Sequence, residues 1–228
     1  MKALSVTLAI FDLDNTLLGG DSDYLWGRFL CEKGIVDGRK YDRENLRFYE
    51  EYKAGTLDIY EFLRFSLRPL SEHDMATLAG WHQQFMKEKI EPIMLPKAAA
   101  LLQKHRAQGH YLLIITATNR FVTEPIANAL GVDELLATDP EIVNGRYSGG
   151  VSGVPCFQQG KVTRLEQWLQ HTGNNLAGSY FYSDSRNDIP LLEMVENPVA
   201  VDPDETLEDH AISKGWPVIS LREARTGH

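Results

Sequence analysis

Leu8-Ala9-Ile10-Phe11-Asp12-Leu13-Asp14-Asn15-Thr16 reads as a short apolar run that ends abruptly in two carboxylates two positions apart. A continuous apolar stretch, here from Val6 to Phe11, suits a strand covered on both faces. Acids released from its end are electrostatically costly, because like charges repel and burial disfavours both ionised forms. A positive partner resolves that cost, most simply a divalent cation with oxygen ligands. If such a partner exists, other strand ends must help to hold it.

Downstream, Gly19-Gly20 breaks the pattern, and Asp21 or Ser22 can cap a helix carrying Tyr24, Leu25, Phe29 and Leu30. Gly34, Gly38 and Gly55 punctuate a helical region in which Leu46, Tyr49 and Lys53 share a face. Leu57, Tyr60, Phe62 and Leu63 form another apolar cluster, and Ser71 to Asp74 opens a helix through Leu78, Trp81, Phe85 and Met86. No strand is expected between Gly19 and Pro96.

After Pro96 the rhythm alternates. Lys97 to Ala107 predicts a helix closed by Gly109, and Tyr111 to Ile115 a strand ending in Thr116-Ala117-Thr118. Val122 to Leu130 predicts a helix stopped by Gly131. Tyr180 to Tyr182 predicts a strand ending in Ser183-Asp184, with a helix after Asp188. Val199 to Val201 and Val218-Ile219 read as late strands. Such alternation predicts an α/β protein, a doubly wound Rossmann-like parallel sheet that binds ligands beyond its strands' carboxyl ends. Asn144-Gly145, between Glu141 and Ser148, signals a hairpin flap near 141–149. The expected organisation is a discontinuous core, 1–18 and 97–228, with a helical cap inserted at 19–96.

Composition is ordinary for a globular protein: 228 residues, 43% hydrophobic and 24% charged. A net charge of -9 excludes the basic footprint of non-specific nucleic-acid binding, and demands a locally positive site for any anionic substrate. The N-terminal apolar stretch is too short for a signal peptide or membrane span. Cys31 and Cys156 lack metal-type spacing and read as reduced thiols of a cytoplasmic protein. The seven histidines show no H-x-x-x-H spacing, which argues against zinc.

Three features could complete the acid pair. Thr116, at a strand end, offers a hydroxyl and neighbouring backbone N–H groups to a phosphate. Gly160-Lys161 places a cation at a helix start, where cations are mildly unfavourable; the alternative is a solvated surface lysine. Ser183-Asp184-Ser185-Arg186-Asn187-Asp188 adds two carboxylates at another strand end, with helix capping by Asp188 before Pro190 as the simpler reading.

Taken in order, these motifs resemble the haloacid-dehalogenase-like phosphohydrolases, in particular the phosphoserine-phosphatase-like branch. Asp12 to Thr16 resembles the first motif, Thr116 the second, Lys161 the third, and Asp184 to Asp188 the fourth. The resemblance implies Asp12 as a nucleophile forming an aspartyl-phosphate, and Asp14 as general acid and then base. It implies Mg²⁺ held by Asp12, the Asp14 backbone carbonyl and Asp184, with Asp188 reaching it through water. Thr116, with Ala117 and Thr118, and Lys161 would hold the phosphoryl oxygens, and Asn187 would assist. The partner implied is a small phosphorylated metabolite, with neither nucleic acid nor membrane, acting on a monomer or homodimer.

Gly19-Gly20-Asp21-Ser22 and Gly215-Trp216-Pro217-Val218-Ile219 look closer to a sibling group that includes histidinol-phosphate phosphatases. The substrates implied are histidinol phosphate, ranked first, and phosphoserine. Asp21 would meet a substrate amine, with helix capping as its alternative. Arg64 and Arg68 are candidates for a substrate carboxylate, though solvated helix positions are the simpler reading. Tyr24, Trp26, Phe48, Tyr49 and Trp81 read as ring-binding or, more simply, as cap core. A dehalogenase needs neither Asp14 nor the Asp184 cluster, and a phosphoaspartate receiver lacks an inserted cap. A binding protein on a dead scaffold conflicts with a complete set of catalytic side chains.

Overall fold

A computed structural model describes residues 6–223. Seven strands form one sheet in the order β4-β3-β2-β1-β5-β6-β7, parallel except for β4. They are β1 (Leu8–Phe11), β2 (Tyr111–Asn119), β3 (Glu134–Val143), β4 (Arg146–Ser152), β5 (Tyr180–Ser183), β6 (Asn197–Val201) and β7 (Val218–Ile219). The helices are α1 (Ser22–Glu32), α2 (Gly38–Ala54), α3 (Ile59–Ser66), α4 (Arg68–Glu72), α5 (Met75–Phe85), α6 (Pro96–Ala107), α7 (Arg120–Leu130), α8 (Gln159–Thr172), α9 (Ile189–Leu192) and α10 (Glu205–Lys214). The fold is the α/β doubly wound sheet that the alternation predicts.

Strand period explains the two cores. Alternate side chains leave opposite faces of β1. Leu8 and Ile10 pack with Val162 and Leu165 of α8, Leu191 and Leu192 of α9, and Leu207 of α10. Ala9 and Phe11 join Leu102 of α6 and Val122 and Ile126 of α7. That second core runs on without a break into Trp26, Phe29, Leu63, Leu78 and Phe85 of the helices between β1 and β2. Among the described residues between Gly19 and Pro96 there is no strand, and Leu18 makes a single bridge to Met94.

Several boundaries differ from expectation. β1 begins at Leu8 rather than Val6. β2 extends through Thr116-Ala117-Thr118 to Asn119, its register shifting between Ile115 and Asn119, so these three residues belong to the strand's end and not to a loop. The expected hairpin forms at Asn144-Gly145, with Ile142 opposite Tyr147, but its first strand begins earlier than expected. β3 starts as a core strand beside β2 and continues outward to pair with β4, and the run Leu135-Leu136-Ala137-Thr138 carries its buried half. Ser71 and Glu72 end α4, and Asp74 alone caps α5. α2 buries Tyr41, Asn45 and Phe48 while Leu46 is 47% exposed, so the face expected around Leu46 is the wrong one. Cys31 and Cys156 are both free thiols. Among the described residues no helix is long and apolar enough to cross a membrane.

Candidate active site

The ends of β1, β2 and β5 and the start of α8 converge. The β1 ladder continues into the first acid, since Asp12 N–H donates to the Tyr182 carbonyl at 2.9 Å. Asp12 Oδ1 accepts from Lys161 Nζ at 2.7 Å, and the same ammonium donates to Asp188 Oδ2 at 2.8 Å. Lys161 is 2% exposed, so it is no surface lysine. Its position follows from the backbone before it. A Cβ at Gly160 would lie 2.0 Å from the Pro155 carbonyl oxygen, so only glycine lets the helix start approach that closely. Gln158 adopts a φ of 48° to make the turn.

Asp188 also accepts from Ser183 Oγ at 2.7 Å. Capping is not its function, because no side-chain bond reaches the N–H groups of α9. A buried ammonium lacking one partner would cost far more than an uncapped single-turn helix. Asp14 is held on two sides, accepting from Ser22 N–H at 2.6 Å and from Thr118 Oγ1 at 2.8 Å. Asp184 accepts from Thr16 Oγ1 at 3.0 Å.

Thr116, Ala117 and Thr118 line a cleft together with Asp12 and Asp14. Thr116 Oγ1 accepts from Thr118 N–H at 3.2 Å. Asn187 is buried beside Asp188. Its Oδ1 accepts from Gln158 Nε2 at 3.0 Å, and its Nδ2 donates to the Tyr52 carbonyl at 3.3 Å, tying α2 to the core. Asp21 caps α1, accepting from Tyr24 N–H at 2.8 Å, and also lines the cleft.

Burial dominates the electrostatics. It pushes the Asp14 carboxyl up to about 7, with the Asp21 charge adding to the effect. Burial pushes Asp12 upward as well; Lys161 works against the rise, and Asp188 and Asp14 reinforce it. Asp184 is driven well above the usual carboxylate range by burial and then by Asp12. Asp21 rises to about 6 and Asp23 well above its ordinary value, burial again leading. One ammonium therefore serves a crowd of carboxylates, which is the charge deficit that a hard cation would fill. No three His, Cys, Asp or Glu side chains gather as a metal site among the described residues. Mg²⁺ does not require that, since it is commonly held by one or two carboxylates, with water and substrate phosphate completing the shell.

The remaining cleft wall comes from α1, α2, α3 and the turn before α8. It includes Asp23, Tyr24, Asn45, Phe48, Tyr49, Tyr52, Phe62 and Phe157. Of the five aromatics singled out in the sequence, Tyr24, Phe48 and Tyr49 face the cleft, whereas Trp26 and Trp81 pack in the core. Arg64 and Arg68 lie outside it, and Arg68 pairs with Glu72 at the surface. Asp23, Asn45 and Tyr52 escaped sequence reasoning. The spacing Tyr41, Asn45, Phe48, Tyr52 marks one helical face, and that stripe is the signal that could have found two of them.

Comparison with known proteins shows the family. Residues 9–193 match the family model of the haloacid dehalogenase-like hydrolases. A histidinol-phosphatase of Neisseria meningitidis is 44% identical over 219 residues, covering 94% of this chain and 99% of that one. A phosphoserine phosphatase of Mycobacterium tuberculosis is 30% identical over 220 residues, covering 95% of this chain and 71% of that one. A crystal structure of a Bordetella pertussis protein of unknown function superposes with a TM-score of 0.90 at 44% identity, covering 96% of this chain and 100% of that one.

Proposed function

Starting from the fact that the chain belongs to the haloacid dehalogenase-like hydrolases and is a phosphomonoesterase of their phosphoserine-phosphatase-like branch, we propose that it hydrolyses a small amino-alcohol phosphate, histidinol phosphate ahead of phosphoserine, by way of an aspartyl-phosphate. One observation carries the mechanism. A buried ammonium on Lys161 is clamped between Asp12 and Asp188, while Asp14 sits nearby on separate hydrogen bonds.

In this reading an Asp12 oxygen bonds to phosphorus as the ester oxygen departs, taking a proton from Asp14. Water then attacks the phosphorus, gives a proton back to Asp14, and phosphate leaves with Asp12 restored. Splitting one displacement into two covalent steps lowers each barrier. The transition state is loose, so positioning and charge stabilisation carry most of the catalysis. Lys161 holds a phosphoryl oxygen from below, and Thr116, Ala117 and Thr118 hold the others from the β2 end. Asp14 is suited to carry a proton because burial raises its carboxyl. Mg²⁺ would rest on Asp12, Asp184 and the Asp14 carbonyl, with Asp188 acting through water. When bound, it offsets the repulsion between a phosphate dianion and these carboxylates. Asp21 faces the substrate amine, and Asn187, which also ties α2 to the core, assists at the phosphate.

The helices of residues 19–96 act as the cap over a core of 1–18 and 97–228. The test is phosphate release from histidinol phosphate, phosphoserine and p-nitrophenyl phosphate, with and without chelator. Release that needs Mg²⁺ and favours an amino-alcohol phosphate is expected. If neither amino-alcohol ester is turned over better than p-nitrophenyl phosphate, the substrate reading is wrong.

A further inference from the structure

Three tyrosines, Tyr24, Tyr49 and Tyr52, line the cleft, and they differ in what holds them. Tyr24 and Tyr49 pack on each other, ring centroids 4.8 Å apart, and Asp21 is the charge that acts most on Tyr49. Tyr52 belongs to the other end. Its carbonyl accepts from Gly55 N–H at 3.0 Å and from Asn187 Nδ2 at 3.3 Å. Asn187 in turn accepts from Gln158, just before Lys161. Gly55 closes this turn at a φ of 73°, and a Cβ there would lie 3.3 Å from Arg186 Nε. The Tyr52 ring packs against Phe157, centroids 6.0 Å apart. The last turn of α2 is therefore seated on the two segments that place Lys161 and Asp188. Burial holds the Tyr52 phenol well above its ordinary range; of the charges acting on it Asp12 comes first, then Asp184, Asp188 and Asp21.

We infer that the Tyr52 hydroxyl is a phosphoryl ligand supplied by the helices between β1 and β2, donating to an oxygen of the bound phosphate alongside Lys161 and Thr116. The inference rests on the phosphatase reading and adds to it a residue that the sheet does not carry. A phenol is a donor without charge, so it can meet an anionic oxygen without altering the balance between Lys161 and its acids. A hydrogen bond to an ionised oxygen is stronger than one between neutral groups, and a fixed donor aimed at growing charge favours the transition state. The phosphate is common to every ester, so this contribution is indifferent to the alcohol, unlike that of Asp21. It also ties phosphate binding to the seating of α2, because lifting its last turn off Asn187 withdraws the donor.

The test is Tyr52→Phe, which keeps the ring and its contact with Phe157 and deletes only the hydroxyl. It should lower kcat/KM by about 10- to 100-fold on histidinol phosphate, O-phosphoserine and p-nitrophenyl phosphate alike, with the ratios between esters held within about 3-fold. Orthophosphate, which carries the phosphoryl oxygens and no alcohol, should inhibit about 5- to 10-fold more weakly than in wild type. A residue that only packs would move neither quantity, and unchanged orthophosphate inhibition overturns the assignment whatever happens to turnover. A loss confined to one ester makes Tyr52 an alcohol contact and overturns it as well. An active wild type matched by Tyr52→Phe removes this inference alone and leaves the phosphatase reading standing. A wild type that releases phosphate from none of the three esters removes both.

Discussion

The two ends of the cleft are built on opposite principles. At the phosphate end, Asp12, Lys161 and Asp188 are at most 3% exposed, and each is fastened to another by a direct bond. At the alcohol end, Asp21 and Asp23 are half-buried with no lysine, arginine or histidine beside them among the cleft-lining residues. The first end comes from strand ends and a helix start of the parallel sheet, the second from α1 and α2. In the proposed reading, chemistry common to every phosphate ester sits on the strand ends and helix start of the sheet. Selection of the alcohol, in the same reading, falls to α1 and α2, whose cleft-facing residues are separate from the buried ones that join the sheet's core.

Substitutions at the two ends should separate accordingly. The largest effect is expected from Asp12→Asn, which should lower phosphate release by about 10⁴-fold or more on every ester while the thermal melt stays cooperative. A loss confined to amino-alcohol esters would erase the distinction between the two ends. Lys161→Ala leaves two buried carboxylates facing each other. It should cost about 3–5 kcal/mol in urea unfolding and weaken inhibition by inorganic phosphate. Unchanged phosphate affinity would remove the lysine from its assigned role.

A third effect comes from beneath the phosphate end, where His105 lies edge-on to Phe11, with Nε2 2.8 Å from the Tyr182 hydroxyl and Nδ1 2.8 Å from His110 Nδ1. Burial, and then His110 and Lys104, lower the His105 pKa to about 4. The unfolded chain therefore takes up a proton near pH 6.5 that the native state refuses, and stability falls as pH drops from there toward 4. The loss should be about 2 kcal/mol at pH 5, read from urea midpoints, and His105→Gln should flatten the slope. The smallest effect is expected from Gly27→Ala, whose Cβ would lie 2.6 Å from Asn45 Cγ and displaces Asn45 without touching the phosphate end. KM for histidinol phosphate should rise roughly 2- to 5-fold, with about 1 kcal/mol lost in stability. A matching rise for p-nitrophenyl phosphate would blur the contrast.

What could be read from the chain follows the same division. Asp12, Asp14, Thr116 and Lys161 announce themselves because each stands at the edge of an apolar strand or opens a helix, where an ordinary sequence would place something else. The parallel sheet is legible for the same reason, in apolar runs separated by amphipathic helices. Asp23 and Asn45 give no such warning. An acid in a helix's first turn is favourable anyway, and an asparagine three places before a phenylalanine reads as a solvated position until the helix is rotated. The exposed Leu46 shows how misleading that rotation is when aromatic and polar residues, rather than aliphatic ones, make up the buried stripe. The inner half of β3 is hidden differently: the Asn-Gly turn marks the hairpin, but nothing in the turn marks the Leu135 to Thr138 run that lies alongside β2.

The tight meeting of Gly160 with the Pro155 carbonyl gives a residue with no side chain control over charge placement several bonds away. Adding one methyl group there would lever the first turn of α8 off its seat and withdraw the amine from between its two acids. The protein could thus be silenced at a position that never meets the ester, and drift at that codon would look neutral by polarity yet behave as a knockout.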